Sequence, residues 1–283
     1  MRPHIKHFFN EQVKYYSLLA TTILIIIFSS CCIFVHILRF KKSHISGMIF
    51  TMLAIQILYG AITIQEPIFN LWVENIASLS YLTLKWLAIS TYVSQLLLSC
   101  TSSLLALDRF LVMLIPIHYS QKNLGFKVSL FAYFLFIGIS LGSISIIFSP
   151  EHNATFYAKE FIEDLFYPMV LVVEAVLHGA FCVQFYRYTK GDRRLMRIRR
   201  QTAQSSHITF VQIMLHTTFC AVPHLIVFLN TNYVELNVEW ISYIRPYLPF
   251  LFTMSVLISS MFTLYKLKPK RAVKVKTSFT GTS

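Results

Sequence analysis

Seven uninterrupted apolar runs, each long enough to cross a lipid bilayer, constrain this chain more than anything else in it. They lie at about Tyr16–Leu38, Ser46–Phe69, Leu79–Leu107, Val128–Ser149, Leu165–Tyr186, Ile208–Leu229 and Ile241–Leu264. A helix needs roughly 20 apolar residues to traverse a hydrocarbon core of about 30 Å. The runs are continuous rather than alternating, which disfavours a β-barrel. Backbone in lipid must satisfy its own hydrogen bonds, and that leaves helices. Gly60, Gln65 and Glu66 dilute the second run, yet it remains a span even with its last turn among headgroups. Charged residues make up 13% of the 283. That is about half the roughly 25% of a soluble domain. Mean hydropathy is +0.60, and a water-soluble globule of this size could not hide so much apolar surface. The 25 Phe and 15 Tyr exclude a disordered chain.

The expected fold is therefore an all-α membrane protein, a seven-transmembrane helix bundle over residues 1–265. A basic tail, 266–283, follows, disordered beyond a short turn because Pro269 breaks a helix there. No internal repeat or second domain is visible. The segment Met1–Tyr15, with Arg2, Lys6 and Lys14, is not read as a signal peptide. The run behind it is too long for such a peptide's apolar core, and Arg39, Lys41 and Lys42 follow it as a stop-transfer signal.

Lys and Arg in the connections set the expected orientation. With the N-terminus outside and the C-terminus cytoplasmic, the inner segments hold nineteen basic residues and two acids, Asp108 and Asp192. The outer segments hold six basic residues and nine acids. The net charge of +13 is then a topology signal rather than a footprint for nucleic acid, and no nucleic-acid partner is expected. The densest stretch, Arg187–Arg200, carries seven Lys and Arg. It suits the anionic lipids of the inner leaflet, at about 1 kcal/mol per residue near the surface. The sequon Asn153-Ala154-Thr155 falls in a loop this orientation places outside, which makes Asn153 a glycosylation candidate. All five cysteines, Cys31, Cys32, Cys100, Cys182 and Cys220, lie inside the runs, so neither a loop disulfide nor a zinc-type pair is available. No metal or cofactor is implied.

The most informative local pattern is Leu107-Asp108-Arg109-Phe110 at the end of the third run, followed by Pro116-Ile117-His118-Tyr119. Taken alone, such a pair could rest in the lipid interface, where long side chains snorkel. In this position it resembles the Asp-Arg-Tyr motif of rhodopsin-like G-protein-coupled receptors, with Phe110 in place of the Tyr. The overall layout looks like that of the nematode serpentine chemoreceptors. The likeness of layout covers the whole chain, and the likeness of motifs covers mainly span three and part of span six. It implies a coupling segment of Asp108, Arg109, Phe110 and Pro116, with Arg109 the pivot that meets a heterotrimeric G protein. It also implies a small external ligand and a multi-pass protein of the plasma membrane, the sensory cilium being one such setting.

The departures are specific. Ile57 stands where the family has a sodium-binding Asp after Leu53-Ala54. Cys220-Ala221-Val222-Pro223 keeps the Cys and Pro of Cys-Trp-x-Pro and lacks the Trp. Span seven ends Met261-Phe262-Thr263-Leu264-Tyr265 and keeps only the Tyr of Asn-Pro-x-x-Tyr. Ala203 occupies the place of an acid that pairs with the motif Arg, which predicts a weaker inactive lock. No Lys lies inside span seven, so an opsin is not expected.

Helix geometry proposes a binding face. Thr91 precedes Arg109 by 18 residues, about five turns, on the same face. Gln95, Leu98 and Ser102 fall close to that line. Thr91, Tyr92 and Gln95 are candidate ligand residues, and Ser102 is expected to serve packing. Glu174 is the costliest residue, a carboxyl near the middle of span five with His178 one turn on. The two form either a neutral hydrogen-bonded pair or the polar, pH-sensitive floor of a pocket. His216, two turns before Pro223 on the same side, is either a third member of this group or, as the simpler expectation, a packed neutral imidazole. Pro223 bends span six, either as ordinary helix shape or as a hinge. Glu66 and Arg245 end spans two and seven at the outer rim, where they would pair or clamp a charged ligand group.

No HExxH, GxSxG or Walker pattern is present, and no enzyme is expected. Two functions remain in play: a G-protein-coupled chemosensory receptor, and a proton-coupled transporter or channel using Glu174 and His178.

Overall fold

A computed structural model describes residues 3–39, 47–72, 81–148, 167–190, 196–232 and 247–267, and no strand occurs among them. Seven helices are long and apolar enough to cross a membrane, at Gln12–Leu38, Gly47–Leu71, Ile89–Leu114, Leu124–Ser145, Pro168–Arg187, Ser206–Val227 and Leu248–Leu267. They correspond one for one to the seven apolar runs and are called spans one to seven. The chain is thus a multi-pass membrane helix bundle.

Helix ends depart from hydropathy where local chemistry overrides it. Helix α1, Pro3–Arg39, begins well before the apolar run. Pro3 suits a first helical position, and no breaker follows before the run. Span two is two pieces, α2 Gly47–Thr63 and α3 Gln65–Trp72, joined by a turn at Ile64. Pro67 is the cause, because it has no N–H for the Thr63 carbonyl four residues back. Helix α4, Tyr81–Leu114, runs five residues past Arg109 and stops at Ile115, which is pushed out of helical geometry (φ −132°, ψ 58°) by Pro116. A short α5, Pro116–Gln121, leads through Asn123 (φ 48°) into α6, Leu124–Phe148. Then come α7 Tyr167–Lys190, α8 Met196–His216, a π-helical turn Thr217–Ala221, α9 Val222–Asn232 and α10 Leu248–Leu267. The tail over 268–283 lies outside the described residues.

Span three is the axis of the bundle: 72% of its apolar window is buried, against 17% for span four. It packs on α2, α6, α7 and α8, while α1 packs on α2 and α10. Span four shows large apolar side chains to the outside, Phe126, Phe131, Phe134 and Leu141 among them, as lipid contact requires. The main core joins spans one, two, three and seven through Ile25, Leu53, Leu98, Leu105, Phe252 and Val256. A second cluster, Ala106, Met113, Phe181, Phe185 and Ile213, joins spans three, five and six near Asp108. Spans one and two meet closely at Gly60, where a Cβ would lie 2.8 Å from Ile26 Cγ1. Small residues permit such approach where no hydrophobic effect drives helix association.

Candidate functional site

Three buried polar assemblies run through this apolar frame. The first lies mid-bundle between spans three, five and six. Glu174 and His178, four residues apart on α7, share one face, and both are buried. His178 Nε2 is 3.4 Å from Glu174 Oε1. From the end of α8, His216 Nε2 comes within 3.1 Å of the same oxygen. Span three supplies two hydroxyls: Ser102 Oγ is 3.3 Å from His178 Nε2 and Ser99 Oγ is 3.3 Å from His216 Nε2. The π turn adds Thr217, whose Oγ1 is 3.2 Å from His178 Nδ1. Phe252 of span seven sets its ring edge-on to His216 at 5.4 Å and packs on Tyr59 at 5.3 Å. Glu174 is 0% exposed, and neither carboxyl oxygen has a hydrogen-bonding partner, Oε1 meeting the two imidazoles by proximity alone. A buried carboxyl oxygen without a donor is costly, so the site is poised for a proton or for rearrangement.

This arrangement bears on two expectations. His216 takes the first of its two readings, a third member beside Glu174 and His178. Ser102 does more than pack, because its hydroxyl meets His178. Periodicity within one helix could reveal the Glu174–His178 pair but not a partner on another helix.

The second assembly lies at the Asp108 end. Asp108 and Arg109 are buried within α4, with Arg109 Nη2 3.2 Å from Asp108 Oδ2. The pair therefore does not end the helix, which runs on to Leu114. Tyr119 of α5 folds back and donates its hydroxyl to Asp108 Oδ1. Burial, and then the Asp108 charge beside it, push the Tyr119 phenol above its usual value, so it remains a donor. Gly125 makes room for it, because a Cβ there would strike the Tyr119 hydroxyl. Phe110 is half-buried and Pro116 exposed. Pro116 acts by breaking α4 so that α5 can turn back.

The third assembly joins spans one, two and seven. Gln56 Oε1 accepts from Ser260 Oγ at 3.1 Å and from Ser29 Oγ at 3.3 Å, and the two serines lie 3.0 Å apart. Nearby, Tyr59 and Thr253 hydroxyls meet at 2.9 Å. On the other side of span seven, Gln212 Nε2 donates to Thr263 Oγ1 at 3.2 Å. The comparison of Leu53-Ala54 with the family motif singled out Ile57, which is only half-buried, while its neighbour Gln56 is fully buried. Lone polar residues inside apolar runs were the available signal for Ser29, Gln56 and Ser260.

The remaining candidates are scattered. Gln95 is buried, Thr91 donates its hydroxyl to the Leu87 carbonyl at 3.2 Å, and Tyr92 is on the surface at 40% exposure. Glu66 is half-buried on α3, beside Gln65, whose Oε1 accepts from Trp86 Nε1 at 3.0 Å. Arg245 and Asn153 lie outside the described residues. Pro223 is the second residue of α9, directly after the π turn, so the irregularity of span six is a widened turn as well as a proline. Among the described residues, no three His, Cys, Asp or Glu side chains are arranged to hold a metal ion.

The sequence matches no known family model and no curated protein.

Proposed function

We propose that the chain is a G-protein-coupled chemosensory receptor of the plasma membrane, with its N-terminus outside and its Asp108 end in the cytosol. A small external ligand binds in the outer half of the bundle, near Thr91, Gln95 and Glu66, and biases it between two packings. Spans five and six part on the inner side and admit a heterotrimeric G protein at Arg109. Anionic inner-leaflet lipids hold the basic third loop, and Asn153 carries a glycan. The observation that carries this reading is the Asp108–Arg109 pair, buried at one end of the axial span and held by Tyr119. A charged pair kept from solvent by a short surface helix is a contact that a partner could uncover. The decisive experiment is ligand-evoked nucleotide exchange on a G protein in reconstituted membranes. Tags on both termini found on the same side of the membrane would overturn the topology beneath it.

The triad of Glu174, His178 and His216 favours a second reading, a proton-coupled transporter or channel. Ligand-evoked current in a membrane free of G protein would select it.

A further inference from the structure

We propose that Glu174, His178 and His216 form a single proton-binding site, balanced in charge only when it holds one proton, whose loading or emptying loosens span five from span six. This deepens the proton-handling reading of the same triad, and its test requires neither transport nor G-protein signalling.

The geometry carries the argument. Both imidazoles bring Nε2 close to one carboxylate oxygen, Glu174 Oε1, at 3.4 and 3.1 Å. With Glu174 ionised and both rings neutral, the cluster bears one negative charge. One proton, taken from water, makes it neutral, and a second leaves one positive charge. Glu174 and His178 are at most 3% exposed and His216 5%, so either charged form is buried. A buried charge without a counter-charge costs several kcal/mol.

Among the described residues the surroundings offer no second carboxylate, Lys or Arg, and their titratable groups are thiols and one further imidazole. Span three presents the hydroxyls of Ser99 and Ser102 and the Cys100 thiol, which lies within reach of the Glu174 charge. The π turn presents Thr217 and Cys220. Helix α9 adds His224, with Nδ1 2.9 Å from the Cys220 carbonyl oxygen. Span seven presents the Phe252 ring, and behind it stands Tyr59 of span two, bonded to Thr253. Asp108 is engaged by Arg109 and Tyr119. Glu174 is the one carboxylate facing the two imidazoles among the described residues, and the Cys220 thiol is the other acid beside His216. The lack of a hydrogen-bonding partner at both carboxyl oxygens is a second sign that the carboxyl is built to take a proton or to exchange its contacts. Glu174 belongs to span five and His216 to span six, so hydrating a charged cluster means separating those two spans.

The test uses the purified full chain in lipid nanodiscs, without ligand or G protein. Infrared difference spectra across about pH 5 to 8 follow the carboxyl stretch and the imidazole ring modes. The wild type is expected to take up protons in two separate cluster steps, and H178N and H216N in one step each. E174Q should lose the carboxylate signal and shift the imidazole steps. The wild-type thermal midpoint should fall as the second proton loads, and H216N should lose that fall. Should E174Q not accumulate, the wild type and the two histidine variants decide alone. A cluster that keeps one protonation state across the range overturns the proposal. So do imidazoles that titrate independently and ignore E174Q.

Discussion

Substituting Tyr119 by Phe isolates one hydrogen bond and tests how the Asp108 end is closed. The ring stays, and only the hydroxyl that meets Asp108 is lost. Asp108 keeps its contact with Arg109 at 3.2 Å. A hydrogen bond to a charged group contributes about 1.5–3 kcal/mol, and losing it leaves one buried carboxylate oxygen unmet. Tyr119 is the buried residue of α5, while Ile117, His118, Ser120 and Gln121 are exposed. A helix of six residues has no stability of its own in water. Opening of α5 should therefore become roughly 10- to 100-fold more frequent, at 1.4 kcal/mol per tenfold. Hydrogen–deuterium exchange across Pro116–Gln121, in nanodiscs, reads this directly. The sign of the pH effect follows from the raised phenol value. Its stabilisation is complete below the ordinary tyrosine value of about 10 and is lost as pH climbs through the folded value. The gap in thermal midpoint between wild type and Tyr119→Phe should stay flat across neutral pH. Unchanged exchange in α5 would refute the claim that this hydroxyl anchors it.

Gly125→Ala should give the same exchange phenotype by another route, since the added methyl displaces the Tyr119 hydroxyl. Gly60→Val should lower the thermal midpoint by an overpacking cost of about 1–3 kcal/mol, because its side chain meets Ile26 across the span one–span two contact. Gln56→Leu should change stability by less than about 1 kcal/mol, since bonds between membrane helices average about 0.6 kcal/mol. Ser29 and Ser260 keep each other at 3.0 Å, and a buried amide donor that lacks a partner disappears. A large loss in a denaturation assay would show that the amide does more than bridge. On the receptor reading, Ala203→Glu should lower basal nucleotide exchange by supplying an acid for Arg109.

The number and placement of the spans were legible in the sequence because lipid imposes one simple demand, a long apolar run per crossing. Their ends were less so. Pro67 splits span two inside a run that was read as one crossing, and α4 continues past Arg109 because no breaker appears before Pro116. Glu174 and His178 were found by spacing alone, since both sit on one helix face. His216, Ser99 and Thr217 join them only through packing between helices, which no periodicity encodes. The Tyr119–Asp108 bond escaped for a similar reason: it depends on the reversal at Ile115 and Pro116, which a pattern of residue types does not specify.

The π turn at Thr217–Ala221 has a consequence for how span six can vary. A π turn bonds residue i to i+5 instead of i+4, so it inserts one residue into the winding. The portion beyond it is about 100° out of phase with the portion before it. Deleting a single residue there would restore regular winding and keep Pro223 and His224 at their present angle, with His216 still against Glu174. Rewinding the turn as α helix at full length would instead re-aim one end by about 100° while the other stays in register.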